Sequence, residues 1–286
     1  MSRLRHSVAR LYEPVWRIAS RASSAAGFRA LILHDIAPAE TDALDSLFSF
    51  LKSRSAIISP EEAEDFLSRD RIRKRSVIPT LVTFDDGFRS NVHVAREVLS
   101  AHGVRAMFFV CPGLVDTPAE QQERSVQTFV FPGLPSPPSE RLLLMTWDEI
   151  RELKAGGHTI GSHSLMHRRL STLSESDLEA DIERSFLRLR EELGIAPTWF
   201  AYPFGDLSSV SGNVLATASR RFKYVFSGIR GVNTATTHRL ALQRESVDLS
   251  APPHYMRMVA GGGLDLLYRA RARSLNAMAR EVSRVL

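Results

Sequence analysis

The chain has 286 residues, 44% of them hydrophobic and 24% charged, with a formal net charge of +5. That length is enough for one substantial core, and no apolar run reaches the roughly 18 to 20 residues that cross a bilayer. The single cysteine, Cys111, excludes an intramolecular disulfide framework and a cysteine-rich zinc site; it ends an apolar run and reads as a buried structural thiol.

Residues 1–29 carry six arginines (Arg3, Arg5, Arg10, Arg17, Arg21 and Arg29) against Glu13, so their local charge equals that of the whole chain. Leu4, Val8, Leu11, Tyr12, Val15, Trp16 and Ala19 recur there at helical spacing, with Pro14 as a kink. Such a basic amphipathic arm is expected either to pack on its own domain or to lie on an anionic membrane surface. It lacks the long apolar stretch and small-residue cleavage site of a secretory signal. The expected location is therefore the cytoplasm or the inner face of a membrane, held peripherally.

Residues 30–286 are expected to form one body. Short apolar runs alternate with helical patterns, which predicts a parallel α/β architecture. The predicted strands are 30–33, 80–84, 105–110, 158–160, 198–202, 223–226 and 240–247. Predicted helices cover 91–101, 146–155, 175–193 and 264–285. The third of these is the clearest: Leu178, Ile182, Leu189 and Leu193 share one face, Ser174 caps the start and Gly194 stops the end. The Pro- and Gln-rich segment 112–140 is too long for an ordinary strand-to-helix connection and is expected to be a loop over the active face or a disordered insert.

Three motifs follow predicted strands. Asp85 and Asp86 stand in Thr-Phe-Asp-Asp-Gly at the end of 80–84; adjacent carboxylates there are costly unless they share a cation or a proton. Gly87 allows the sharp turn that keeps both at the mouth. His163 and His167, four apart in His-Ser-Leu-Met-His, can aim two imidazoles at one point. Around Pro203, the run Trp199-Phe200-Ala201-Tyr202-Pro203-Phe204 suits either a sugar-stacking wall or a packed corner, with Trp199 and Phe200 expected in the core.

In this order the motifs resemble the polysaccharide deacetylase family, over roughly residues 30–247; Leu31-Ile32-Leu33-His34 and Thr146 to Ile150 add to the likeness. The resemblance implies a distorted parallel (β/α) barrel. It also implies a metal-dependent hydrolase that removes acetyl groups from an N-acetylated sugar in a glycan or glycan precursor. Position by position, Asp85 matches the catalytic base, and Asp86, His163 and His167 match the ligands of a divalent metal, Zn2+ with Co2+ or Ni2+ as substitutes. The Phe204 N–H matches the oxyanion donor, and Tyr202, Pro203 and Phe204 the substrate wall, with His34 a further pocket residue. Two elements depart from the pattern. Ala201 stands where the family carries an arginine that orients the base; Arg244, on the last predicted strand, is the candidate replacement. No late Leu-x-His motif is present, which leaves His254 and His238 as candidate acids. These gaps keep open hydrolysis of another non-peptide C–N bond in a small molecule, or a catalytically silent glycan binder. No nucleic-acid motif accompanies the basic excess, so nucleic acid is not an expected partner.

Overall fold

The computed structural model describes residues 26–54, 57–68, 77–133 and 143–285. Eight strands, β1 (Arg29–Leu33), β2 (Ile57–Ile58), β3 (Thr80–Phe84), β4 (Met107–Val110), β5 (Thr159–Ser162), β6 (Trp199–Ala201), β7 (Tyr224–Phe226) and β8 (Glu245–Ser246), form one sheet. Its order is β7-β6-β5-β4-β3-β1-β8, with β2 beside β3, and every strand pairing is parallel. A bridge from Phe226 to Leu242 joins β7 to the segment leading into β8, so the sheet curls back on itself as a distorted parallel barrel.

Residues of both faces are buried, as a parallel sheet covered by helices requires. Leu31, Leu33, Val82, Phe84, Phe108 and Val110 face outward beneath helices, in one cluster with Leu44, Leu47 and Phe48 of the helix Thr41–Arg54. The alternate set, Ala30, Leu81, Met107, Phe109, Trp199, Ala201, Phe226 and Leu242, forms a second cluster inside the curl. Gly161 in β5 makes room for this filling, since a Cβ there would lie 2.5 Å from the Phe109 ring. Strand residues alternate in direction with a period of two. Counting on from inward-facing Leu81, Ala30 and Leu242 therefore reaches Asp85, His34 and Arg244 at one rim.

The helix Glu175–Leu193 forms over the predicted span: Ser174 Oγ accepts the Asp177 N–H, and Gly194 closes it at φ 66°. Thr146 caps the helix Trp147–Ala155 reciprocally with Glu149. Three expectations are corrected. Segment 112–140 is largely helical up to Phe129, in helices Pro112–Val115 and Ala119–Phe129, and residues 134–140 lie outside the described part. The last strand is only Glu245–Ser246, because Gln243 exchanges its backbone bonds with the Asn233 side chain (2.8 and 2.9 Å) instead of a neighbouring strand. Arg29, assigned to the arm by its charge, opens β1, and Phe28 before it is fully buried. The arm itself, up to residue 25, lies outside the described residues. No helix among the described residues is long and apolar enough to cross a membrane.

Candidate metal centre and catalytic cleft

Asp86, His163 and His167 offer three ligand atoms within 4.8 Å of one another, all buried. Asp86 Oδ1 lies 3.4 Å from His163 Nε2 and 3.3 Å from His167 Nε2, yet accepts no hydrogen bond. The far side of each ring explains this. His163 Nδ1 is 2.6 Å from the Ala201 carbonyl and His167 Nδ1 is 2.8 Å from the Phe129 carbonyl. A carbonyl only accepts, so each Nδ1 carries the proton and donates it, leaving the Nε2 lone pairs aimed inward. Two imidazole lone pairs and one carboxylate oxygen thus face a common point with no proton shared between them. This donor set fits a divalent cation.

The backbone is bent to reach this arrangement. Among the described residues, the non-glycine positions in the left-handed region are Asp86 (φ 72°), Ser164 (φ 67°), His167 (φ 54°) and Phe204 (φ 63°), all in or beside the cleft. Each costs roughly 1–2 kcal/mol, so the surrounding contacts must hold them in place. Ser164 Oγ accepts the His167 N–H (3.0 Å), and buried Asp181, on the helix Glu175–Leu193, accepts the Leu165 N–H (2.8 Å). Asp181 therefore pins the loop that carries both histidines. Asp181→Ala is expected to weaken metal affinity about 10- to 100-fold, the usual effect of losing a group that orients ligands. Competitive metal titration checks this, and an unchanged affinity would limit Asp181 to packing.

Beside the cluster, Asp85 is gripped by Arg244: Nη1 donates to Oδ1 at 2.7 Å and Nη2 to Oδ2 at 2.8 Å. Arg244 is itself fixed by bonds to the Ser227 carbonyl (2.9 Å) and Thr83 Oγ1 (3.1 Å), and both partners are nearly inaccessible. Burial pushes the Asp85 carboxyl up, but the Arg244 guanidinium outweighs it and keeps it below its ordinary value. Asp85 Oδ2 stands 3.8 Å from His163 Nε2, next to the metal cluster but outside it.

These groups line a cleft of about 220 Å³, together with His34, Val130, Phe131, Tyr202 and Phe204. The aromatic run divides. Trp199, Phe200 and Tyr202 are buried, and the Tyr202 hydroxyl donates to the Gly205 carbonyl (3.2 Å), which braces the turn. Pro203 is buried and does not line the cleft, a correction to its expected place on the substrate wall. Phe204, 36% exposed, presents its ring at the mouth beneath the Arg169 guanidinium (4.5 Å) and edge-on to His167. Its N–H donates to no protein acceptor among the described residues. His34 is exposed on the rim. The structure does not bring His254 to the cleft: it sits on the helix Pro253–Ala260, which packs on Thr41–Arg54. His238 lies apart as well, with Nε2 3.1 Å from Ser283 Oγ. Cys111 is buried, and burial pushes its thiol well up, which leaves it unreactive. The Phe129 and Ala201 carbonyls escaped sequence reasoning because a backbone acceptor leaves no mark in residue type, and Asp181 because it reaches the loop from another helix.

A family model described as polysaccharide deacetylase matches residues 73–222. A chitin deacetylase from Pestalotiopsis sp is 24% identical over 175 residues, covering 60% of this chain and 50% of the relative, so the chain spans about half the length of the curated relative it matches. Among solved structures, the deacetylase PplD of Streptococcus pyogenes in complex with acetate is similar at a TM-score of 0.63 and 20% identity, over 82% of this chain and 98% of that one. IcaB from Ammonifex degensii reaches 0.60 and 23%, over 82% and 97%. The BpsB deacetylase domain from Bordetella bronchiseptica reaches 0.61 and 21%, over 78% and 96%. At these identities the structural likeness establishes the fold.

Proposed function

The chain belongs to the polysaccharide deacetylase family, and we propose that it hydrolyses the acetamido group of an N-acetylated sugar in a glycan or glycan precursor, releasing acetate. The observation that carries this reading is the juxtaposition of a clamped carboxylate, Asp85, with an Asp86–His163–His167 ligand set in one cleft. We take the metal to be Zn2+, with Co2+ or Ni2+ as substitutes, because two imidazole nitrogens and one carboxylate oxygen are borderline donors. A cation held there supplies Lewis acidity, acidifying water and polarising the acetyl carbonyl.

The protein groups supply the rest. Asp85 accepts the proton of the attacking water, and Arg244 holds it oriented for that transfer. The Phe204 N–H, which has no protein acceptor among the described residues, is our candidate donor to the oxygen that becomes negative as the new C–O bond forms. Breaking the C–N bond then requires a proton on the departing nitrogen. Among the described residues, His34 is the one imidazole lining the cleft besides the two ligand candidates, so we assign it this role in place of His254. His34→Ala is expected to lower kcat about a hundredfold on an acetamido sugar, while turnover of 4-nitrophenyl acetate, whose leaving group needs no proton, stays near wild type. Equal losses on both substrates would remove His34 from proton transfer.

A cleft of about 220 Å³ is smaller than the roughly 300–1,000 Å³ of drug-sized ligand sites, so it accommodates one acetylated residue with any longer glycan outside. The same dimension suits a small amide, the second reading. The deciding assay measures acetate release from N-acetylated oligosaccharides and from small amides, before and after chelation and metal reconstitution. Chelator-sensitive acetate release from the oligosaccharides supports the proposal. Metal binding with turnover of small amides alone would overturn it in favour of the second reading. The partner matched by the basic residues 1–29 is anionic lipid on the inner face of a membrane.

A further inference from the structure

We propose that the outer face of the C-terminal helix and the groove beside it form a docking surface for a membrane rich in anionic phospholipid. The helix Asp265–Val285 buries Ala272, Leu275, Ala279 and Val282 and turns a different face to solvent. That outer face carries Arg269, Arg273, Arg280 and Arg284, all exposed, against one exposed acid, Glu281. Between the helix and residues 230–237 runs a groove of about 680 Å³ lined by Arg230, Arg269, Arg273 and Arg280 with threonine hydroxyls. At 1.5 Å per residue, the stripe from Leu266 to Arg280 is about 21 Å long.

Charge pairing is sparse in this region. Several exposed arginines elsewhere meet carboxylates, among them Arg89 with Glu149, Arg96 with Glu152, Arg151 with Glu192, Arg220 with Glu179 and Arg221 with Glu183. In the groove the two nearby acids are already taken. Asp265 accepts from Arg29 (2.7 and 3.0 Å), and Glu245 accepts from Arg230 (2.9 Å) and Arg29 (3.3 Å). Arg280 donates to the Thr236 carbonyl, while Arg269 and Arg273 have no partner among the described residues. Unpaired guanidiniums at this spacing suit phosphate oxygens, which they bind by two parallel hydrogen bonds.

Two further observations select a membrane over a soluble polyanion. Leu266 and Leu267 are adjacent and 73% and 75% exposed, and Leu266 lines the groove with the arginines. A soluble anionic polymer has no use for them, whereas an acyl boundary does. The chain also enters the body beside this groove, since Phe28 bridges Asn233 next to lining residues Val232 and Thr234. Residues 1–25, which precede that entry in sequence, contain five more arginines. The surface is anchored by the Arg29–Asp265 pair at the start of β1, and His34 follows the end of that strand, about 16 Å away. On a membrane the cleft would stay in the aqueous phase.

The test is co-sedimentation of the full chain with vesicles of phosphatidylcholine alone and of phosphatidylcholine mixed with phosphatidylglycerol, at several salt concentrations. Binding to the mixed vesicles alone, weakened by salt, is expected. The triple variant Arg269→Gln, Arg273→Gln, Arg280→Gln should reduce the partition coefficient about a hundredfold, near fivefold per arginine. Leu266→Ser with Leu267→Ser should reduce it as well, with the wild-type melting temperature and acetate release from soluble substrate kept in both. Undiminished vesicle binding by the arginine variant would overturn the proposal. So would unchanged binding by the leucine variant together with equally tight binding of heparin, which would assign the surface to a soluble polyanion.

Discussion

Asp85→Asn is expected to lower kcat for acetate release by on the order of 10³-fold or more while leaving metal stoichiometry at the wild-type value. The two halves of this result come from the same geometry. Asp85 lies beside the ligand set, 3.8 Å from His163 Nε2, but the three converging donors belong to Asp86, His163 and His167. An asparagine keeps the shape and can accept one Arg244 N–H through its oxygen, yet its NH₂ faces the second guanidinium N–H donor to donor. Above all, it has no basic oxygen for the proton of the attacking water, and a positioned base contributes about 10²–10⁴-fold. Acetate release and metal content, measured on one preparation, check both halves. Substantial residual turnover would mean that another group takes the proton. Loss of metal would mean that Asp85 is a ligand.

How far the sequence foretells this site depends on what kind of contact holds each part. Asp85, Asp86, His163 and His167 were legible because their residue types announce their chemistry and each pair falls just after a strand with a clear apolar pattern. The barrel was legible for a similar reason, and the helix Glu175–Leu193 formed over its predicted span because its stripe and both caps agree. The helix Ala119–Phe129 was missed because only Val126 of its eleven residues is fully buried, with Phe129 packed partly beside it, too short an apolar pattern to read. Strand β8 was overestimated because an asparagine side chain, which no pattern of hydrophobicity reveals, replaces a strand as partner of Gln243. Choosing among histidines required the fold itself. His34 is read from its strand as a pocket residue and His254 as the candidate acid, and only the curl of the sheet carries the first to the cleft rim and leaves the second on an outer helix. Arg244 could be nominated from its strand, but its grip on Asp85 spans 159 residues and depends on β8 closing against β1.

That grip sets the second large effect. Arg244→Met removes a buried guanidinium and leaves Asp85 charged, buried and adjacent to Asp86, so stability should fall by about 3–5 kcal/mol, the usual result of breaking one side of a buried pair. For a chain of this size that lowers the melting temperature by on the order of 10 °C. Arg244→Lys should lie between, because an ammonium restores the charge without the two-pronged fork. The informative comparison is the double variant Asp85→Asn, Arg244→Met. With no unpaired charge left at position 85, it should be more stable than Arg244→Met alone, a coupling that calorimetry on the four proteins measures directly. Activity should behave differently. If Arg244 acts only by positioning Asp85, then once Asp85→Asn has removed the base, adding Arg244→Met should cost little further turnover. Recovered stability with unrecovered kcat would identify Arg244 as a positioning residue for the base. A further large loss of kcat in the double variant would instead require Arg244 to touch the substrate, which its enclosure behind Asp85, with donors engaged by Ser227, Thr83 and Asp85, opposes.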